Sequence, residues 1–347
     1  MKEWTNAYNS FNSMKALCWR DRFEEIAEGK IPAPVSVSVD ATNVCNLDCV
    51  FCQYHDYRFE KQNTVSEESL LWLADTIKEL GAVSVCLAGG GEFLLHKSSG
   101  KFIRKLKKVG LEVGMITNGT RINNFIDEIL DCLTWVGVSI DASNKTTYEK
   151  IKGKDMFDKV IKNVNELVNR RGKFPFVGYK FLIHPYNYDE VYDAASLALS
   201  MGVDDFHARP CYNPGMKWDP EMIDTALNQV KEAQESLETD FFHVYGITHK
   251  FGDDFMKKPI DKCEITPVSG LTFAADGYCY VCCDLRNVKM GRLCKWQDIL
   301  EKWGSDEHKK LIEHIEPKLC PHRCTYGPYQ EILDKVFREN KMTYKFP

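Results

Sequence analysis

Eight residues constrain this chain more than any other stretch: Cys45-Asn46-Leu47-Asp48-Cys49-Val50-Phe51-Cys52. They set three thiols in a C-x3-C-x2-C spacing, directly after Val35-Ser36-Val37-Ser38-Val39, whose alternation reads as a strand. A strand running into clustered thiols predicts a loop at the mouth of a sheet or barrel, wrapped around a metal. Closed zinc sites take four ligands. Three close cysteines suit a cubane iron–sulfur cluster with one iron left open, although such clusters usually take four cysteines. The competing explanations are a zinc knuckle or three incidental buried thiols.

The rest of the chain alternates strands with helices. After a helix over Ser13 to Glu28, ended by Gly29 and the breaker Ile31-Pro32-Ala33-Pro34, the first strand is Val35–Asp40. Further strands are expected at Ala82–Ala88, Leu111–Thr117, Trp135–Asp141, Phe176–Ile183 and Val203–Arg209. Between them lie helices capped by Ser66 and running to Leu80, then Lys97–Val109, Arg121–Cys132, Asp155–Arg171 and Tyr188–Met201. This order predicts a parallel sheet with right-handed crossovers. Six units are fewer than the eight of a complete barrel, and ligands in such folds sit at the C-terminal ends of the strands.

Those strand ends carry Gly89-Gly90-Gly91-Glu92, Thr117-Asn118-Gly119, Ser139-Ile140-Asp141-Ala142 and His184-Pro185-Tyr186-Asn187. Glycines allow close backbone approach, and Glu92 could bind an ammonium. Ser139 and Asp141 alternate with apolar neighbours, an arrangement suited to ribose hydroxyls. Taken with the cysteine triplet, these motifs resemble the radical S-adenosylmethionine (SAM) enzymes. The resemblance implies an open, partial (β/α)6 TIM-like barrel of α/β class. It implies a [4Fe–4S] cluster on Cys45, Cys49 and Cys52, its open iron chelated by SAM. One-electron reduction would cleave SAM to methionine and a 5′-deoxyadenosyl radical that abstracts substrate hydrogen, with the cofactor supplying the hard chemistry. On the same footing Gly90, Gly91 and Glu92 are expected at the cofactor's amino group. Ser139 and Asp141 are expected at ribose or carboxylate, Phe51 and Asn187 on the adenine side, and Asn118 nearby. The family's proline after the glutamate is here Phe93.

Fourteen cysteines in a chain of 347 residues argue for metal or catalytic use. Half of them crowd the C-terminal third. Cys263, thirteen residues, Gly277, four residues and Cys282 match the opening of the SPASM and twitch auxiliary-cluster domains of the same superfamily. Cys320-Pro321-His322-Arg323-Cys324 resembles the cysteine pair near the end of those domains. The remaining cysteines of the full SPASM pattern are not evident, so the resemblance implies one auxiliary [4Fe–4S] cluster, closer to the twitch type, on Cys263, Cys282, Cys320 and Cys324. Cys279, Cys283 and Cys294 could each replace one of these, and a zinc ribbon is the competing explanation. Asp276-Gly277 reads as the turn of a hairpin between Leu271–Ala274 and Tyr278–Val281. Helices are expected around Trp296–Trp303, Asp306–Ile315 and Tyr326–Asn340.

The expected organisation is an N-terminal helical extension over 1–34, the barrel over 35–210, a bridge over 211–262 holding the loop Asn213-Pro214-Gly215 and a polar helix, and the auxiliary domain over 263–347. Hydrophobic content of 44% and charged content of 27% are ordinary for a globular protein. A net charge of −5 gives no reason to expect a nucleic-acid partner. The polar start and the absence of an apolar run of about 18 residues give a cytoplasmic expectation, with no membrane partner.

The leading expectation is an enzyme that dehydrogenates or epimerises a polar small molecule, such as a sugar or aminocyclitol, with a flavodoxin or ferredoxin as electron donor. Arg209 would grip a carboxylate or phosphate in two places. Cys211 would sit at the barrel mouth as a hydrogen donor, or else be a packed small residue. The alternatives are a peptide-modifying enzyme, for which the 34 residues before the first strand are short, and an iron–sulfur scaffold or electron-transfer protein.

Overall fold

The computed structural model describes residues 13–211, 216–251, 260–265, 270–320, 324 and 326–338. The loop 213–215 and His322 lie outside them. Strands β1 (Ser36–Val39), β2 (Ser84–Leu87), β3 (Glu112–Thr117), β4 (Trp135–Ser139), β5 (Phe176–Ile183) and β6 (Asp205–Pro210) pair in sequence order, all parallel. Each is joined to the next through helices, as the alternation predicts. A further strand, β7 (His243–Gly246), adds in parallel beside β6. It falls in the segment expected to hold only a polar helix, now α9 (Pro220–Leu237). Asp219 caps that helix by accepting from Glu221 N, and Pro220 occupies the first turn, where no donor is lost.

At the other edge, β8 (Thr272–Phe273) runs parallel to β1. β9 (Tyr278–Tyr280) and β10 (Arg292–Lys295) follow antiparallel. The turn between β8 and β9 carries Gly277 at φ +85°, a left-handed conformation that glycine adopts freely. The C-terminal module is thus continuous with the barrel sheet, which among the described residues has ten strands in the order β10-β9-β8-β1-β2-β3-β4-β5-β6-β7.

The two faces of the sheet differ in chemistry. Val37, Val39, Val85, Leu87, Val113, Met115, Val136, Val138, Val177, Tyr179 and Phe206 pack with helix residues such as Leu73, Phe102, Ile129, Val164 and Ala194 in the main core. Because side chains alternate along a strand, Ser36, Ser38, Asp40, Ser84, Cys86, Lys180, Asp205, His207, Arg209 and Tyr245 fall on the opposite, lumenal face. Contacts confirm it: Lys180 Nζ lies 2.7 Å from Asp205 Oδ1, and the His207 and Tyr245 rings stand 6.3 Å apart. A Cβ at Gly178 would meet Lys180 Nζ and Asp205 Oδ1, both at 2.6 Å. No helix among the described residues is long and apolar enough to cross a membrane.

Helices α10 (Ile299–Lys302) and α11 (Asp306–Glu313) close the C-terminal side. Trp303 Nε1 donates to Pro32 O at 2.9 Å, and the Trp303 ring lies against His308, whose Nδ1 accepts from Gly304 N. Burial holds His308 at about 4, below its ordinary 6.5. A depressed pKa means that the unfolded chain takes up the proton first. The stability due to neutral His308 is therefore full above about pH 6.5 and is lost as pH falls toward 4, by up to about 1.4 kcal/mol per pH unit. Denaturant titrations of wild type and His308→Gln across that window should show the variant losing less stability on acidification. Parallel pH profiles would contradict the assignment.

Candidate functional site

The cysteine triplet occupies the loop after β1, at the C-terminal mouth of the barrel. Its geometry comes from close backbone packing. A Cβ at Gly89 would stand 1.9 Å from Asp40 Oδ1, one at Gly90 2.8 Å from the Tyr57 ring, and one at Gly91 2.3 Å from Val44 O. The three glycines therefore let the end of β2 lie directly on the cysteine loop. This is a more local reason for them than approach to a ligand.

Donors surround the thiols. Arg58 Nη1 lies 3.5 Å from Cys52 Sγ and Asn118 Nδ2 lies 3.8 Å from Cys45 Sγ. Burial pushes Cys49 up to about 11, against the pull of the Lys152 ammonium. Three half-buried, unpaired thiols facing a guanidinium, an ammonium and an amide form a donor set that fits a thiolate-bound metal cluster, whose negative charge those groups would balance.

Glu92 is fully buried, and its carboxylate accepts from Leu94 N (3.1 Å), Thr117 Oγ1 (2.8 Å) and Asn118 N (2.8 Å). It ties the end of β2 to the end of β3, and burial raises its pKa. A carboxylate has about four acceptor positions, so one remains for an outside donor. Asn118 is a hub: its amide also donates to Asn46 Oδ1 and accepts from Thr120.

Asp141 and Asn187 depart from expectation. Asp141 stands at φ 60° just beyond β4, completely buried. Its carboxylate pairs with the buried ammonium of Lys152 and accepts from Leu182 N at 2.5 Å. Asn187 donates to Asp141 O and Leu182 O and accepts from His184 N. Both side chains lock the loops after β4 and β5. Lys152, absent from the sequence expectations, lies at the last turn of helix α6 (Lys145–Lys152), 5.5 Å from the Phe51 ring centroid. Phe51 packs in a small cluster with Ile151 and Cys211, and its ring is 6.3 Å from that of His184. Ser139 ends β4 in register with lumenal Lys180.

Arg209 and Cys211 follow each other out of β6. Burial lowers the Arg209 pKa, offset in part by Asp284 and then Asp141. Its guanidinium is thus within electrostatic reach of both the cofactor-side loops and the C-terminal site. Cys211 is buried, its Sγ 3.8 Å from Met216 Sδ and its N–H bonded to Ile183 O.

The C-terminal cysteines separate into two sets. Cys279 and Cys294 face each other across β9 and β10 within the main core. Cys263 and Cys324 share a second cluster with Val281 and Ile315. Cys282 stands within electrostatic reach of Cys283 and Cys263, and Cys324 of Asp284 and Cys320. The ligand atoms of Cys282, Cys283 and Asp284 lie within 4.8 Å of one another. Cys263, Cys282, Cys320 and Cys324 therefore share one neighbourhood, with Cys283 and Asp284 as additional donors, whereas Cys279 and Cys294 are core residues.

This fold and this donor set resemble those of radical SAM proteins. Residues 39–198 match the model of the Radical SAM superfamily. The match and the donor set support SAM and a [4Fe–4S] cluster as cofactors. The chain is 33% identical over 172 residues to a probable GTP 3′,8-cyclase of Saccharolobus islandicus, covering 49% of this chain and 54% of that protein. A probable GTP 3′,8-cyclase of Sulfurisphaera tokodaii is 32% identical over 206 residues, 58% of this chain and 64% of that protein. The chain thus spans little more than half the length of these relatives. Among solved structures, Streptococcus suis SuiB bound to S-adenosylmethionine aligns over 87% of this chain and 71% of its own, with TM-score 0.63 and 13% identity. Native anSMEcpe with bound AdoMet aligns over 88% and 100%, with TM-score 0.60 and 18% identity. At these identities the likeness is one of fold.

Replacing the carboxylate of Glu92 by an amide turns one acceptor into a donor facing N–H and O–H groups. Glu92→Gln should lower stability by roughly 1–3 kcal/mol. It should weaken SAM binding about tenfold through loss of a charge-assisted contact, with iron content near wild type. Equilibrium binding on reconstituted protein checks this, and an unchanged affinity would show that Glu92 serves only the loop.

Proposed function

We propose that this chain is a radical SAM oxidoreductase that acts on a polar, anion-bearing small molecule and carries a second, twitch-like iron–sulfur site. In this reading Cys45, Cys49 and Cys52 hold the SAM-binding cluster. Cys263, Cys282, Cys320 and Cys324 hold the auxiliary one, with Cys283 the alternative to Cys282. When bound, the first cluster and SAM supply a one-electron reductive cleavage that generates the hydrogen-abstracting species.

The observation that carries the reading is Arg209. It is a half-buried guanidinium on the lumenal face, within electrostatic reach of Asp284 and Cys283 of the C-terminal site and of Asp141 beside the cofactor loops. A carboxylate or phosphate held there by the planar fork would place the substrate between the two cysteine groups. Lys180, His207 and Tyr245 line the lumen below, a floor suited to hydroxyl and phosphate oxygens.

Dehydrogenation is favoured over epimerisation. The substrate would lose a hydrogen atom to the cofactor fragment, then a proton to solvent and an electron to the auxiliary site. Cys211, the thiol an epimerase would need as hydrogen donor, is packed against Met216. GTP, named for the relatives, is the first anionic probe to try at Arg209. Peptide modification is the second reading, supported by the fold shared with SuiB, which has also been solved bound to the precursor peptide SuiA. A non-enzymatic iron–sulfur scaffold would bind no SAM.

Reconstituted wild type should carry about eight irons, and the Cys45/Cys49/Cys52 triple alanine variant about four, following the two separate thiolate groups. With dithionite and SAM, wild type should release 5′-deoxyadenosine and the triple variant none. Release by the variant would overturn the reading.

A further inference from the structure

Between the two cysteine groups lies a buried polar knot that neither group explains. Arg286, three residues past Cys283, donates from Nη1 to Tyr54 Oη at 2.7 Å and to Cys283 O at 2.9 Å. Tyr54, two residues past Cys52, donates to the same Cys283 carbonyl at 3.2 Å. The guanidinium also lies over the Tyr54 ring, 5.2 Å from its centroid. On its other side, Arg286 Nε faces Asp40 Oδ2 at 2.7 Å. Asp40 stands just past the end of β1, and Gly89, past the end of β2, packs onto its carboxylate. Burial pushes Asp40 up to about 6 against the pull of Arg286.

We propose that Arg286 is a positioning residue: it clamps the loop of the auxiliary cysteines onto the loop of the SAM-site cysteines and sets the reduction potential of the auxiliary site. The inference rests on the two-cluster reading above. A buried ion pair is weak evidence of added stability, because desolvating both charges costs about what their attraction returns. Its better-attested use is to fix one arrangement among several. Here the arrangement fixed is the register between two loops that each carry metal-ligating thiols.

The knot draws on four separate stretches of chain, through Asp40, Tyr54, Gly89 and the Cys283–Arg286 turn. Two of its hydrogen bonds cross between the two cysteine loops, Arg286 Nη1 to Tyr54 Oη and Tyr54 Oη to Cys283 O, and Arg286 also donates to that carbonyl from its own side. Arg286 is also a fixed cation within electrostatic reach of Cys283. A cation held in a low-dielectric interior favours the more negative, reduced form of a neighbouring cluster. Lysine could supply the charge but not the planar fork that serves Asp40, Tyr54 and Cys283 at once.

The test uses the reconstituted full chain as wild type, Arg286→Met, Arg286→Lys, Tyr54→Phe and the Tyr54→Phe/Arg286→Met double variant. Each is assayed for iron and followed by redox titration with electron paramagnetic resonance. Wild type should show two separable reduced-cluster signals. Arg286→Met should keep its iron while the auxiliary midpoint falls by at least tenfold in reduction constant, about 59 mV for one electron. Arg286→Lys should recover part of that shift. Tyr54→Phe, which leaves the Arg286–Asp40 pair intact, should give a smaller shift in auxiliary midpoint or line shape. The double variant should move no further than Arg286→Met alone, since the two side chains act as one unit.

Fully loaded Arg286→Met with an unchanged midpoint overturns the clamp. If Arg286→Met does not load iron, Tyr54→Phe decides, and an unchanged midpoint and line shape there overturn it equally. A single signal with about four irons in wild type would instead sink the two-cluster reading, and the clamp with it.

Discussion

The structure depends on one constraint: its parallel strands must be apolar toward the helices and polar toward the lumen. Parallel strands covered on both sides usually read as continuous apolar runs. Here β1 alternates serine with valine, and β6 places Asp205, His207 and Arg209 opposite Phe206 and Ala208. The apolar face supplies the core, where each fully buried valine or leucine contributes roughly 1.5–3 kcal/mol. The other face keeps a lumen that a substrate could share with the two cysteine groups.

Charge inside that lumen and its rim is handled by pairing. Lys152 meets Asp141, Lys180 meets Asp205, and Arg286 meets Asp40. Each pair joins segments whose relative position matters to the site: the loop after β4 to the end of α6, β5 to β6, and β1 to the C-terminal module. Removing one member would strand a buried charge, at a cost of about 3–5 kcal/mol. Glu92 does the same work with hydrogen bonds, joining the ends of β2 and β3.

What the sequence made legible was local. The six strands, short apolar or alternating runs between turn residues, the Ser66 cap and the Gly277 turn all follow from residues within a few positions of each other. β7 escaped because His-Val-Tyr-Gly offers the core only Val244, with no apolar run to mark it. β10 escaped for the same reason, and with it the pairing that makes Cys279 and Cys294 core neighbours. The cysteine triplet and the glycine run were legible as motifs. The reason for the glycines, packing on Asp40, Tyr57 and Val44, was not, because it is a tertiary contact. Lys152 and Arg286 were invisible for the same cause: a buried cation is recognised by its partner, and the partner lies elsewhere in the chain. Asp141 and Asn187 stand at strand ends, where polar residues often meet ligands; here the Lys152 ammonium and nearby backbone groups already bond to them.

In the proposed function, two cysteine groups on one sheet hold two iron–sulfur clusters, only the first of them open to SAM. Mössbauer spectroscopy of the chain reconstituted with iron-57, with and without SAM, tests it most directly. The account predicts two [4Fe–4S] clusters, with SAM altering the signal of a single iron in one of them and leaving the other unchanged. A single cluster, or two clusters whose spectra ignore SAM, would contradict it.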